Sequence, residues 1–90
     1  MSQTKYELKQ SLIIREQDNS IFDSEKLNIL SFNPSGFELI NHLDKYKVVT
    51  AEEFLNYAKE IKVSEEDFNE FINKCLNQDI IKIISTEPLI

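Results

Sequence analysis

Leu27-Asn28-Ile29-Leu30-Ser31-Phe32-Asn33-Pro34-Ser35-Gly36 decides how this chain is read. A short apolar strand runs directly into a helix start. Asn33 suits the N-cap, where a side-chain oxygen accepts from the free N–H groups of the first turn. Pro34 suits the first helical position, because its φ is preset and no N–H is required there. Gly36 falls within the first turn, where a missing Cβ permits close backbone approach. Two strand-like segments precede this junction and three helix-like segments follow it. The expected fold is α+β: a winged helix-turn-helix, with a three-stranded antiparallel sheet followed by a three-helix bundle. One strand edge is left available to dock another chain.

Upstream of the junction, residues 1–7 are polar and read as frayed. The segment from Leu8 to Glu16 ends in Leu12-Ile13-Ile14-Arg15-Glu16, a β-branched run typical of a strand. Gln17-Asp18-Asn19 reads as a turn, Ser20 to Asp23 as a second strand and Ser24-Glu25-Lys26 as another turn. Leu27 to Phe32 is the third strand, which completes a meander of two hairpins. Leu30 and Phe32 share one face of it, and Leu27, Ile29 and Ser31 the other. Both faces are thus partly apolar, more than a sheet with one solvated face requires.

Downstream, Phe37, Ile40 and Leu43 repeat at helical spacing and predict a helix from Pro34 to about Lys45. Residues Lys45 to Val49 read as a connector. Thr50-Ala51-Glu52-Glu53 has the capping-box pattern and opens a second helix with Phe54, Leu55, Ala58 and Ile61 on one face. Ser64-Glu65-Glu66-Asp67 is read as a second capping box. The third helix follows with Phe68, Phe71, Ile72, Cys75 and Leu76, the cleanest 3.6-residue period in the chain. It is expected to stop near Asn77-Gln78-Asp79. Ile80 to Ile84 reads as a closing strand or extended segment, and Ser85 to Ile90 as a tail.

Ninety residues with 41% hydrophobic content predict a single domain, 1–90, with an ordered core of about residues 8–84 and modest stability. Ten basic residues scattered among sixteen acidic ones give a net charge of −6. That balance argues against nucleic acid, which needs clustered Lys and Arg. A single cysteine excludes an intramolecular disulfide and fits a reducing cytoplasm. The N-terminus lacks the apolar core of a signal peptide, and no apolar run is long enough to span a bilayer. The expected location is cytoplasmic, without membrane contact.

Chemistry-bearing constellations are sparse. His42 and Cys75 are single, so no metal-ligand pair is present, and neither a metal nor another cofactor is expected. His42 reads as a structural or surface histidine. Cys75, on the apolar face of the third helix with no basic partner beside it, reads as a small buried hydrophobe. Glu52-Glu53 and Glu65-Glu66-Asp67 sit in first helical turns, where negative charge favours the helix dipole. With one glycine there is no phosphate-cradling loop. Nothing predicts an enzyme.

The junction and the three helices together resemble the PqqD-like family, peptide-recognition elements of pathways that modify ribosomally made peptides. The resemblance covers roughly residues 8–84. Phe32-Asn33-Pro34-Ser35-Gly36, followed by Ile40, Leu43 and Asp44, matches a strand ending in a Leu-Asn-like pair, a glycine, and an apolar helix closing in Leu-Asp. Thr50-Ala51-Glu52-Glu53-Phe54 matches a Thr- or Val-led helix with paired glutamates. Val63-Ser64-Glu65-Glu66-Asp67-Phe68 with Phe71-Ile72 matches the acidic-apolar third helix. The chain departs from the pattern at Phe32, where leucine is usual, and at Lys45 and Asp79, where glycine is usual.

The resemblance implies a non-catalytic peptide carrier. Such modules bind the leader of a precursor peptide and present it to a modifying enzyme, for example a radical-SAM protein, a cyclase, a dehydratase or a protease. The leader adds to the third strand and lies beside the third helix, by β-augmentation. The implied peptide-binding residues are Lys26, Leu27, Asn28, Ile29, Leu30 and Ser31 on the strand, and Asp67, Phe71, Lys74 and Gln78 on the helix. At 100° per residue these four form a stripe beside the core stripe of Phe68, Ile72, Cys75 and Leu76. Two plainer readings stand beside this one: Phe71 widens the core stripe, and Leu27 and Ile29 pack under the N-terminal segment. The alternative functions are an acidic winged-helix adaptor for a folded partner and a DNA-binding regulator. The latter would turn Ser64-Glu65-Glu66-Asp67 toward phosphates.

Overall fold

The protein is described here by a computed structural model covering residues 4–85. It has three helices and two three-stranded antiparallel sheets, with strands and helices interleaved. The meander is present as β2 (Leu12–Arg15), β3 (Ser20–Asp23) and β4 (Asn28–Ser31). Helix α1 spans Pro34–Tyr46, α2 spans Ala51–Glu60 and α3 spans Glu65–Asn77.

The second sheet was not anticipated. Thr4–Leu8 forms β1, the central strand, flanked by β5 (Val48–Thr50) and β6 (Ile81–Ser85) in the order β5-β1-β6. The expected frayed segment 1–7 therefore contributes a strand from Thr4 onward, and Met1 to Gln3 lie outside the described residues. Thr4-Lys5-Tyr6-Glu7-Leu8 offers only Tyr6 and Leu8 as apolar alternates, too weak a period to mark a strand on its own. Two neighbours hold it: Tyr6 is opposite Val49 on one side and Ile83 on the other. The expected strand from Leu8 to Glu16 is accordingly two strands separated by a turn, and Glu16–Asp18 forms a 3-10 turn. The expected connector Lys45–Val49 is the last turn of α1 followed by β5, and the order of all strands before all helices does not hold. Ile81 onward is a paired strand that includes Ser85; residues 86–90 of the expected tail lie outside the described residues.

Local signals explain the helices. The Asn33 side chain accepts from Gly36 N–H at 2.7 Å, and Pro34 occupies N1. Thr50 and Glu53 form the full reciprocal capping box. Ser64 Oγ accepts from Asp67 N–H at 3.1 Å, the forward half of the second box; aspartate is one methylene shorter than the glutamate that normally reaches back. A Cβ on Gly36 would lie 3.0 Å from Asn33 Oδ1 and 3.4 Å from Phe32 Cβ, so the absent side chain lets the cap and Phe32 close over the first turn.

The helices pack their apolar faces on one core. Ile40, Leu43, Phe54, Ala58, Cys75 and Ile80 are fully buried there. Phe54 is the hub: its ring meets Phe68 at 5.2 Å, Phe71 at 6.1 Å and Tyr6 at 6.3 Å, all edge-on. The meander contributes Ile21, with Leu12, Ile14 and Leu30 packed against the same cluster.

The two sheets are joined through a buried carboxylate. Asp23, at the end of β3, is 1% exposed and accepts from Lys9 Nζ at 2.9 Å. Its other oxygen accepts from the backbone N–H groups of Glu25 and Lys26 at 3.0 and 3.3 Å and shapes the β3–β4 turn. The Lys9 hydrogen bond, aided by these backbone donors and opposed by burial, holds the Asp23 carboxyl below the usual aspartate range.

Among the described residues five non-glycine residues have positive φ, and three of them follow α-helices: Lys47 caps α1, and the other two share one arrangement. Lys62 (φ 65°) and Asp79 (φ 62°) follow α2 and α3, where Val63 N–H reaches Ala58 O and Ile80 N–H reaches Cys75 O, both at 2.9 Å. This is the Schellman arrangement, a position glycine fills at no steric cost. Asp79 is one of the two points at which the PqqD-like pattern has glycine.

Lys62→Gly is expected to raise stability by about 0.5–1 kcal/mol in urea denaturation, because it removes the left-handed Cβ clash. A depressed folded-state pKa means that Asp23 contributes stability above its unfolded value, roughly pH 4, and that this is lost as pH falls through the lower folded value. Stability measured between pH 7 and 2 is therefore expected to fall below about pH 4. Asp23→Asn is expected to be less stable at neutral pH and to lose less over that acid interval.

Candidate functional site

β4 is the outer strand of its sheet. Its pairing with β3 sets Ile29 opposite Phe22 and Leu30 opposite Ile21. Phe32 N–H donates to Asn19 O at 2.9 Å, so Phe32 turns its backbone groups toward β3. Alternation along an antiparallel strand then turns those of Leu30 and Asn28 the same way, and those of Ile29 and Ser31 toward the open edge. One observation checks this: the Ser31 carbonyl does reach outward, to Lys74 Nζ on α3 at 3.0 Å. The outer edge of β4 has no strand partner among the described residues.

α3 runs beside that edge. Lys74 reaches from the helix to Ser31 and lies 4.5 Å from the centroid of the Phe32 ring, a cation–π contact. Lys26 reaches from the turn before β4 to the Gln78 carbonyl at 3.3 Å and to Asp79 at 3.5 Å. Two lysines thus bridge strand and helix, one in each direction. Between Ser31, the start of α1 and α3 lies a groove of about 320 Å³. Its apolar side is Phe32, Leu39, Val63 and Phe71; its rim carries Lys62 and Lys74 against Asp67 and Glu70.

The two predicted stripes therefore meet, through Lys26 with Gln78 and Ser31 with Lys74. Asp67 and Phe71 line the groove. Leu27 and Ile29 are 78% and 52% exposed and do not pack under the N-terminal segment. Leu30 is half-buried and faces the core, so it supports the strand from behind. Phe71 widens the core stripe, being buried and packed on Phe54, and its ring also lies 5.8 Å from Phe32 at the groove wall. Leu27 has φ 54° and belongs to the turn, so the paired strand is Asn28–Ser31, shorter than the expected Leu27–Phe32.

Phe32, Gly36, Lys62, Val63 and Glu70 were not singled out as site residues. Gly36 carried a signal, the close approach in the first turn that seats Phe32 and the Asn33 cap against it at this end of the groove. Lys62 carried none; it is placed by the turn after α2.

Compared with protein-family models, curated proteins and solved structures, the chain gives no match. The remaining reactive side chains are quiet. Cys75 is buried, and burial pushes its thiol up to about 12, so it stays protonated. His42 stacks on Tyr57 at 4.0 Å and on Phe54 at 5.8 Å; burial, then Lys45, lowers its pKa. Among the described residues no helix is long and apolar enough to cross a membrane.

Phe71→Ala is expected to destabilise the fold by about 3–5 kcal/mol, because it leaves a cavity between Phe32 and Phe54. Phe71→Leu, which keeps most of the volume, is expected to cost less than half of that in the same urea denaturation experiment.

Proposed function

We propose that this chain is a non-catalytic, PqqD-like recognition element with a winged helix-turn-helix arrangement. It binds the leader of a ribosomally made precursor peptide and presents it to a modifying enzyme, such as a radical-SAM protein, in the cytoplasm. The reading rests on one observation: the open backbone edge of β4 lies beside α3, and at its Ser31 end it meets a groove whose other wall is α3. An extended peptide entering there pairs with the outward N–H and C=O of Ile29 and Ser31, and its alternate side chains enter the groove over Phe71 and Phe32. Backbone bonds supply affinity, and the groove supplies selectivity. The peptide replaces the Lys74 ammonium at the Ser31 carbonyl and leaves that cation on the groove rim.

The helix-turn-helix here is α2, the turn 61–64 and α3, with the meander as wing. A DNA-binding role is disfavoured by the exposed Glu65, Glu66, Asp67 and Glu70 along α3, which would repel phosphates.

The test is a titration of the isotopically labelled protein with the leader of a short open reading frame beside this gene. Amide shifts are expected at residues 28–31 and along residues 67–78. Ser31→Pro removes an outward N–H and leaves the β3 ladder intact, since proline is tolerated at an edge. It is expected to weaken binding about tenfold or more through the lost bond and the clash with an incoming strand. Unchanged affinity in this variant would refute strand addition.

A further inference from the structure

The meander has an apolar rib on its solvent side. Register sets Ile13 opposite Phe22, and Phe22 opposite Ile29, in one row across three strands. Ile13 and Ile29 are 55% and 52% exposed, and Phe22 is half-buried. The Phe32–Asn19 hydrogen bond makes Phe22–Ile29 a non-hydrogen-bonded pair, the kind in which side chains stand closest. None of the three belongs to the core cluster. The opposite face, with Ile14, Ile21 and Leu30, already supplies the apolar side that this sheet needs to sit on the core.

The rib stops at Ile29, on the strand whose outer edge is open. Whatever pairs with β4 therefore sets its own side chain next in the row. The residue opposite Ile29 in an added antiparallel strand is a direct cross-strand neighbour, on the rib side by the pleat. The residues on either side of it in sequence turn to the other face, toward the groove and Phe71.

We infer that the peptide bound at β4 is read on both faces of the sheet. It carries at least two adjacent bulky apolar residues, one turned into the groove and one turned outward against Ile29. This rests on strand addition at β4 and adds a second specificity contact to it. An alternating apolar-polar strand, which would satisfy the groove alone, is disfavoured. The occupant is a peptide strand and not a second copy, because two copies would each bring a net charge of −6 and repel one another.

The probe is a display library of random 12-residue peptides selected on the full chain. Selected sequences are expected to share an adjacent apolar pair and to shift the amides of Ile29 and Ser31. Replacing the outward residue of a selected peptide by serine is expected to weaken binding about fivefold. The same replacement is expected to matter little against Ile29→Thr, an exposed β-branched exchange that keeps the strand. Peptides that shift the Ile29 and Ser31 amides but carry polar outward residues, or bind Ile29→Thr unchanged, overturn the second contact and leave strand addition standing. A selection that yields no shift at β4 overturns both. Concentration-dependent dimerisation that Ile29→Asp abolishes assigns the rib to a second copy instead and also overturns the inference.

Discussion

The ion pair between Lys9 and the buried Asp23 is the constraint on which the rest of this small protein depends. Lys9 leaves the end of β1, in one sheet; Asp23 ends β3, in the other. The carboxylate also takes two backbone N–H groups of the β3–β4 turn, so one side chain fixes both the distance between the sheets and the direction in which β4 departs. The far end of β4 is fixed by Asn33, which caps α1 through Gly36 N–H. A four-residue strand held at both ends has little freedom to slip, and register is what decides which side chains face outward. The strand side of the site is thus set by two short polar anchors rather than by the apolar core.

Apolar packing positions the other wall. Phe54 gathers Phe68 and Phe71 from α3 and Tyr6 from β1 around one ring, and this orients α3 so that Phe71 reaches Phe32 at the groove. The lysines crossing from helix to strand and from strand to helix are exposed and contribute little to stability. Their significance is geometric: they show that the edge and the helix stand one side chain apart.

The sequence was most legible where a signal is local. Asn33-Pro34, Thr50 with Glu53, and the period of Phe68, Ile72 and Cys75 each specify a helix within one or two turns. The faces of β4 were legible too, because pleat alternation needs only the order of residues. What stayed hidden was long-range. β1 has two apolar alternates and becomes a strand only because residues 48–50 and 81–85 come to lie on either side. The role of Asp23 was equally silent, since an aspartate at a hairpin reads as a turn former until Lys9 is seen beside it. Of the two positions where glycine is usual in the PqqD-like pattern, Lys45 lies inside α1 and only Asp79 has a left-handed backbone; aspartate tolerates that conformation better than most residues.

The pairing of β1 with β6 also bears on how the chain is made. Thr4–Leu8 is made before Ile81–Ser85, yet the later strand pairs directly with the earlier one, which is the centre of its sheet. Until the later strand emerges, β1 has at most β5 beside it, and the apolar face under Tyr6 and Leu8 stays incompletely covered. Closing this sheet requires contacts between residues more than seventy positions apart, and a chain that lacks residues 81–85 exposes surface that the complete fold hides.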